Sequence, residues 1–337
     1  MTAHAAIVTT LRDAAATLGS FVTYHRAIGF EHFFLFFDDP ADPMLDWARE
    51  QPDITAMPRD DDLRRAWSRL ILWSEAAAHV DREVMARQIL NAEHAMNLAR
   101  AEGFDWLLHI DSDELFYLPD GDAGAHFAPL AHVAVEVTAY INYEAVPETE
   151  DTGDFFRTVT LFKRPLSEYP PPEAKALITR AGQQVDTFFH FYGNGKSAVR
   201  LAAPGMVPVN VHDFARRGGC SVMRYRGPFI LHYPCCGFAA FWRKYVTLGR
   251  FPDKWWGTVD IAEAVGPFHL QARDAVMDAV AAGDMESARR FYRDRMMITD
   301  AALIAEMTRH DLLERIDAPG KILAAAGNSS EQPAVQG

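Results

Sequence analysis

Asp111, Ser112, Asp113 and Glu114 follow directly on the apolar run Trp106-Leu107-Leu108-His109-Ile110. Carboxylates two residues apart in extended chain point to the same side, roughly 7 Å apart at about 3.3 Å per residue. Two such groups repel unless positive charge lies between them. A hard divalent cation, Mn2+ or Mg2+, that also carries substrate phosphate oxygens suits oxygen donors of this kind. Asp111 and Asp113 are therefore the candidate metal ligands. His212 and His232 each close a short apolar run and are candidates for a third ligand, although a lone histidine in that position is more often a core residue.

Further polar residues stand where they would serve the same site. Asp38 and Asp39 end the apolar run 31–37, either as a plain turn before Pro40 or as a nucleotide contact. Gln88 and Asn91 border an apolar helical stripe and are either satisfied polar residues or inward-facing ones. Lys196 and Arg200 follow a Gly-Asn-Gly turn and share one face of a strand, as clamps for a diphosphate or as ordinary surface cations. Glu144 and Glu148 flank Pro147, where a base or a pair of loop carboxylates would sit.

The elements that position these residues follow from periodicity. Residues 5–10 and 31–37 read as buried strands separated by a helix over 20–28 with Ser20 as its cap and Gly29 as its stop, which is the βαβ order of a parallel nucleotide-binding sheet. Residues 54–57 read as a third strand and the charged stretch 59–65 as a solvated face or loop. Met85, Ile89, Ala92, Met96 and Ala99 recur at helical spacing over 80–101, and Gly103 ends that helix just before the strand at Trp106. Short strands are expected at 133–139, 158–162, 206–212 and 229–233, and helices at 238–248, 272–295 and 301–316. The stiff Tyr169-Pro170-Pro171-Pro172 marks a subdomain break, and the small polar residues 327–337 read as a disordered tail.

The 337 residues, 49% hydrophobic and 23% charged, have the profile of a globular protein with a large core. A formal net charge of −13 argues against nucleic acid as the main partner. Cys220, Cys235 and Cys236 lack metal-ligand spacing, and an adjacent pair is a poor disulfide, so a reducing, cytoplasmic setting is expected. No apolar run approaches the roughly 20 residues of a membrane span.

The stretch from Phe21 to Asp39, the run Arg87-Gln88-Ile89-Leu90-Asn91 leading to Trp106 through Glu114, and Gly195-Lys196-Ser197-Ala198-Val199-Arg200 with His212 together resemble three blocks of glycosyltransferase family 2-like and family 92-like proteins. The resemblance implies a GT-A fold: an α/β, Rossmann-like, mostly parallel central sheet flanked by helices, with a C-terminal helical extension. The implied division is a catalytic domain over 1–235 and a packed helical region over 236–326. It further implies a UDP- or GDP-sugar donor and a divalent metal. On that reading Asp111 and Asp113 hold metal and diphosphate, Asp38 or Asp39 lies near the nucleoside, Gln88 and Asn91 support the donor pocket, and Lys196, Arg200 and His212 line the donor or metal side. The chain departs from the family at Leu11-Arg12-Asp13, where relatives commonly carry Lys-Asn-Glu after the first strand.

The expected activity is inverting transfer of a sugar to the hydroxyl of a glycan or other acceptor, with Glu144 or Glu114 as the base and Trp242, Trp255 and Trp256 as an acceptor platform or core residues. A metal-dependent nucleotidyl- or phosphotransferase is the rival enzyme, although the chain lacks a Gly-x-x-x-x-Gly-Lys loop. A non-catalytic carbohydrate- or nucleotide-binding protein is the rival of another class.

Overall fold

The structure, a computed structural model, describes residues 2–119, 121–185, 188–191, 193–255 and 259–327. The chain opens with β1 (Ala5–Leu11), α1 (Leu18–Ala27), β2 (His32–Phe37), α2 (Leu45–Arg49) and β3 (Ile54–Pro58). Then come α3 (Asp61–Trp67), α4 (Trp73–Ala76), the long α5 (Val84–Glu102), β4 (Trp106–His109), β5 (Glu114–Tyr117) and α6 (Ala123–Phe127). β6 (Val137–Ala145), α7 (Phe155–Thr158), β7 (Leu161–Lys163), α8 (Pro172–Arg180), β8 (Lys196–Arg200), β9 (Val207–Pro208), β10 (Phe214–Ala215) and β11 (Val222–His232) follow. The C-terminal part holds α9 (Phe238–Leu248), β12 (Lys254–Trp255), β13 (Val259–Asp260), α10 (Ile261–Val265), α11 (Phe268–Ala282), α12 (Met285–Met296), α13 (Ala301–Arg309), β14 (Leu313–Arg315) and α14 (Ala318–Gly327).

Two compact units interleave along this chain. Among the described residues, the first takes in 2–141, 194–230 and 322–327; the second takes in 142–193 and 231–321. The expected division, 1–235 and 236–326 with a tail from 327 and a break at Tyr169–Pro172, takes the chain in order; the two units are each built from segments far apart in sequence, which composition along the chain does not reveal.

The first unit is an α/β fold with a mostly parallel central sheet flanked by helices. Its strands run β3-β2-β1-β4 in parallel; β8 then pairs antiparallel with β4, and the first half of β6 pairs antiparallel with β8 and so runs in the sense of β4. Every residue of β1 and β4 is buried, as expected of strands covered on both faces. The chain winds outward from β1 through β2 to β3, then returns to place β4 on the other side of β1. The carboxyl ends of β1 and β4 therefore flank a topological switch point, where ligands of open α/β sheets bind. The register carries Leu11, Phe37 and Pro58 to one level, so Arg12, Asp38 and Arg59 emerge side by side.

Helix α5 buries Ile89, Ala92, Met96 and Ala99 of its predicted stripe, leaves Met85 half-buried and buries Ala86, Leu90 and Ala95 beside them, and Gly103 ends it at φ 85°, in the left-handed region that favours glycine. Other boundaries shift. Thr17, not Ser20, precedes α1, and Ser20 is buried within it. Within the charged stretch 59–65, Asp60 caps α3 by accepting from the Leu63 N–H at 2.9 Å, and Asp61, Asp62, Arg64 and Arg65 form the exposed face of that helix, the solvated face expected of them. The strand expected at 158–162 is divided between the end of α7 and β7, and the helix expected over 301–316 stops at Arg309 before β14. Pro172 opens α8 inside the second unit rather than marking a break.

In the second unit, β7 pairs with the end of β6, matching Glu144 to Lys163, and β14 adds to β7. One apolar cluster gathers Leu161, Ile178, Phe188, Met307 and Leu313. A second holds α9, α11 and α12 together through Phe241, Tyr245, Phe268 and Tyr292. Trp242 packs against that second cluster, the core role allowed for it. Trp255 lies half-buried in β12; Trp256 and the tail 328–337 lie outside the described residues.

Candidate functional site

Asp111 emerges just beyond β4, where the chain turns sharply into β5. The turn is closed reciprocally: the Glu114 N–H donates to the Asp111 carbonyl at 3.1 Å, and the Asp111 N–H donates to Glu114 Oε2 at 2.9 Å. Ser112 and Asp113 thus sit in a turn, so the extended-chain spacing of the two aspartates does not hold. Lys196, the first residue of β8, donates from Nζ to Asp111 Oδ2 at 2.6 Å and to the Val211 carbonyl at 3.1 Å, with Glu114 Oε2 at 3.7 Å. Its side chain is 0% exposed against 23% for Asp111. The expected clamp on a donor is instead a buried counter-charge that acts through Asp111.

Local backbone explains why Lys196 is there. Gly195 has φ +68°, and a Cβ on it would lie 1.7 Å from the Tyr140 carbonyl oxygen, so only glycine lets β8 begin against β6 at this point. His212 secures the turn by donating from Nδ1 to the Gly195 carbonyl at 2.8 Å. That bond fixes the orientation of the His212 ring.

Charge in the cluster is unevenly shared. Burial raises the Asp111 carboxyl, but the neighbouring Lys196 ammonium outweighs it and holds the group well below the usual carboxylate range. Burial pushes the Glu114 carboxyl well up, with Asp111 and Asp113 adding to the effect and Lys196 opposing it. His109, 2% exposed, has no hydrogen-bond partner for its Nε2 among the described residues; burial and then Lys196 lower it to about 3. The same two causes lower His212 to about 4. The resulting state is an ionised, partly exposed Asp111 backed by a cation, with both imidazoles neutral.

One face of α5 ties the strand tips together. The Gln88 amide donates to Asp111 Oδ1 at 2.5 Å. Asn91 donates to Thr10 Oγ1 at 2.8 Å and accepts from Trp67 Nε1 at 2.9 Å, so it braces β1 rather than a ligand. Arg87 holds both oxygens of Asp38, at 2.5 and 2.8 Å, and donates to the Val80 carbonyl at 2.8 Å. Asp38 is 4% exposed and its oxygens face that guanidinium, which displaces the nucleoside contact expected of it. Asp39 accepts from the Ala41 N–H at 2.9 Å, the plain-turn alternative.

Arg200 does not join Lys196. It stands opposite Trp106 at the far end of β8, about 13 Å along the strand by rise alone. Its guanidinium donates to the Leu130 and Val133 carbonyls and lies 5.3 Å from the Trp106 ring centroid. Four alternating positions put two residues on one face, but the strand's length separates them.

The second unit holds the remaining candidates. Glu144, 1% exposed, accepts from Lys163 Nζ and the His190 and Phe191 N–H groups, each at 2.9 Å. His232, 2% exposed, faces the Asn142 amide at 3.3 Å. Glu148 pairs with Arg315 at 2.8 Å. Glu144 and Glu114 are both turned inward, so in this arrangement each is a structural acceptor rather than a base open to an acceptor hydroxyl.

Among the described residues, no group of three or more His, Cys, Asp or Glu side chains could hold a metal ion. Asp111 and Asp113 alone fit a different kind of centre, in which one or two carboxylates hold a cation that takes its other ligands from phosphate and water. Sequence reasoning missed Arg87 and His109 as parts of this cluster. The signal for Arg87 was its place beside Gln88 on the buried face of α5, since a buried arginine demands a paired carboxylate.

Among the described residues, no helix is long and apolar enough to cross a membrane. No family model matches the chain. It is similar to two glycosyltransferase-like proteins of Arabidopsis thaliana. One is 27% identical over 314 residues, covering 90% of this chain and 68% of that protein. The other is 25% identical over 317 residues, covering 90% and 59%. Solved structures similar to it include the mannosyltransferase Ktr4p from S. cerevisiae in complex with GDP, at 10% identity and TM-score 0.22 over 44% of this chain and 42% of that chain. Core-mannan synthase A from Aspergillus fumigatus, in a Mn/GDP form, aligns at 11% identity and TM-score 0.24 over 44% and 45%. Likeness that faint carries no argument about this chain. The sequence comparison does: nine-tenths of the chain is similar to glycosyltransferase-like proteins.

Proposed function

We propose that this chain is a glycosyltransferase of GT-A type that moves a sugar from a nucleotide-diphosphate donor, a UDP- or GDP-sugar, to an acceptor hydroxyl with inversion. The observation that carries the reading is the ionised, partly exposed Asp111, backed by buried Lys196, at the switch point of a parallel sheet in a chain similar to glycosyltransferase-like proteins. When bound, Mn2+ or Mg2+ at Asp111 and Asp113 supplies the positive charge that neutralises a departing diphosphate. Lys196 keeps Asp111 deprotonated, Gln88 orients its second oxygen, and Glu114 fixes the turn that presents both aspartates. These contacts preorganise the site before substrate arrives.

The test is a panel of UDP- and GDP-sugars screened with Mn2+ for thermal stabilisation, then for donor hydrolysis and transfer. At least one donor stabilises the wild type and is turned over, and Asp113→Asn loses about a hundredfold or more of that turnover. Stabilisation by nucleoside triphosphates alone favours a nucleotidyltransferase. Unchanged turnover in Asp113→Asn sinks the site assignment.

A further inference from the structure

The tip of β2 carries more positive charge than its carboxylate can use. Three guanidinium groups converge on Asp38. Arg87, 6% exposed, already binds both of its oxygens. Arg59 stands 3.5 Å from Oδ1 with 37% of its side chain exposed, and Arg12 stands 3.9 Å from Oδ2 with 49% exposed. Among the described residues neither Arg12 nor Arg59 donates a side-chain hydrogen bond, and no carboxylate other than Asp38 lies within 4 Å of either. Neighbouring acids have hydrogen-bond partners of their own, Asp39 the Ala41 N–H, Asp42 the Met44 N–H and Asp81 the Arg64 guanidinium, although Asp81 also feels the Arg59 charge.

The backbone holds this pair level. The Asp38 N–H donates to the Leu11 carbonyl and the Arg59 N–H to the Phe37 carbonyl, each at 2.9 Å, extending the ladder one residue past each strand. Arg12, Asp38 and Arg59 therefore leave three adjacent strands about 4.8 Å apart, with the two arginines about 10 Å apart across Asp38 at their backbones. Two partly exposed forked donors flanking a carboxylate that a third guanidinium already binds match an oxyanion of several acceptor oxygens.

We propose that Arg12 and Arg59 form a phosphoryl-binding clamp at the carboxyl edge of β1 and β3, with Arg87 as the residue that neutralises Asp38 and so leaves their charge available. The anion site stands on these three arginines; only its identification with the donor's phosphates rests on the glycosyltransferase reading. The other source of the same chemistry is a phosphate carried by the acceptor.

Calorimetric titration of the full chain with inorganic pyrophosphate, UDP, GDP, uridine, guanosine and mannose 6-phosphate tests the clamp. In Arg12→Gln/Arg59→Gln, affinity for the phosphate-bearing probes that bind the wild type falls about tenfold per guanidinium removed, while nucleoside affinity is unchanged. Loss confined to nucleotides and pyrophosphate identifies the donor; loss confined to mannose 6-phosphate identifies a phosphorylated acceptor. A wild type that binds no phosphate-bearing probe, or a double variant that binds them as tightly, overturns the clamp. Arginine-dependent phosphate binding without turnover of any nucleotide sugar leaves the clamp standing and sinks the enzyme reading. Turnover with unchanged KM in the double variant does the reverse.

Discussion

Lys196 changes meaning between sequence and structure, and the change is one of exposure. A cation after a glycine turn suits a phosphate clamp, but a side chain 0% exposed touches Asp111 and the Val211 carbonyl instead of a ligand. Its removal strands the ionised Asp111 without its counter-charge. Lys196→Met is expected to destabilise the fold by about 3 kcal/mol, the cost of breaking a buried pair from one side. Urea denaturation at neutral pH reads it, and a loss below about 1 kcal/mol would show that Lys196 is not the counter-charge. Arg87 obeys the same logic. Arg87→Met removes both hydrogen bonds to the buried Asp38 and leaves it only the longer ion pairs to Arg59 and Arg12, at 3.5 and 3.9 Å, and is expected to lose about 2 to 3 kcal/mol in the same assay.

At the scale of elements, α5 and β8 assemble the cluster. Arg87, Gln88 and Asn91 occupy the first turns of α5 and reach β2, the turn after β4, and β1 respectively, so one helix sets the mutual position of three strand tips. Helical spacing placed Gln88 and Asn91 on the border of the apolar stripe, but only the packing of α5 on the sheet assigns each its partner. β8 is started by Gly195, and no L side chain fits there without moving the Tyr140 carbonyl. Gly195→Ala is expected to destabilise the protein by more than about 1 kcal/mol and to lower donor turnover, because Lys196 is displaced with the strand. A variant that melts with the wild type and retains its turnover would show that the turn tolerates a side chain.

For the whole molecule, buried imidazoles set the response to acid. Burial lowers His25 in the first unit from 6.5 to about 3, and burial, with Lys244 and Arg273 adding, lowers His269 in the second to about 3. Both are held neutral in the folded state: His25 bridges the Phe21 carbonyl and the Phe116 N–H, and His269 Nδ1 faces the Tyr245 hydroxyl at 2.9 Å. Between pH 6.5 and about 3 the unfolded chain takes up these protons and the folded chain does not, so stability falls as pH falls through that window and is unaffected by these groups above it. Each contributes about 1.4 kcal/mol per pH unit, so the pair alone lowers stability by about 3 kcal/mol between pH 7.5 and 5.5. Urea midpoints across that range provide the check; a flat profile would mean that the imidazoles are accessible to protonation.

Local pattern determined what local physics controls. The buried runs of β1, β2 and β4, the stripe of α5 with its Gly103 stop, the parallel α/β class and the acid cluster at Asp111 are all legible because hydrophobic period, turn chemistry and strand burial are properties of neighbouring residues. Tertiary structure alone decided the rest. It put Lys196 behind Asp111 rather than before a ligand, and Arg200 at the other end of β8. It engaged Glu144 inward within a unit built from two separated segments, and closed Arg87 on Asp38, leaving Arg12 and Arg59 exposed beside it. Each of those outcomes depends on which charge finds which partner once water is excluded, and a pairing between residues 49 or 85 positions apart leaves no trace in sequence spacing.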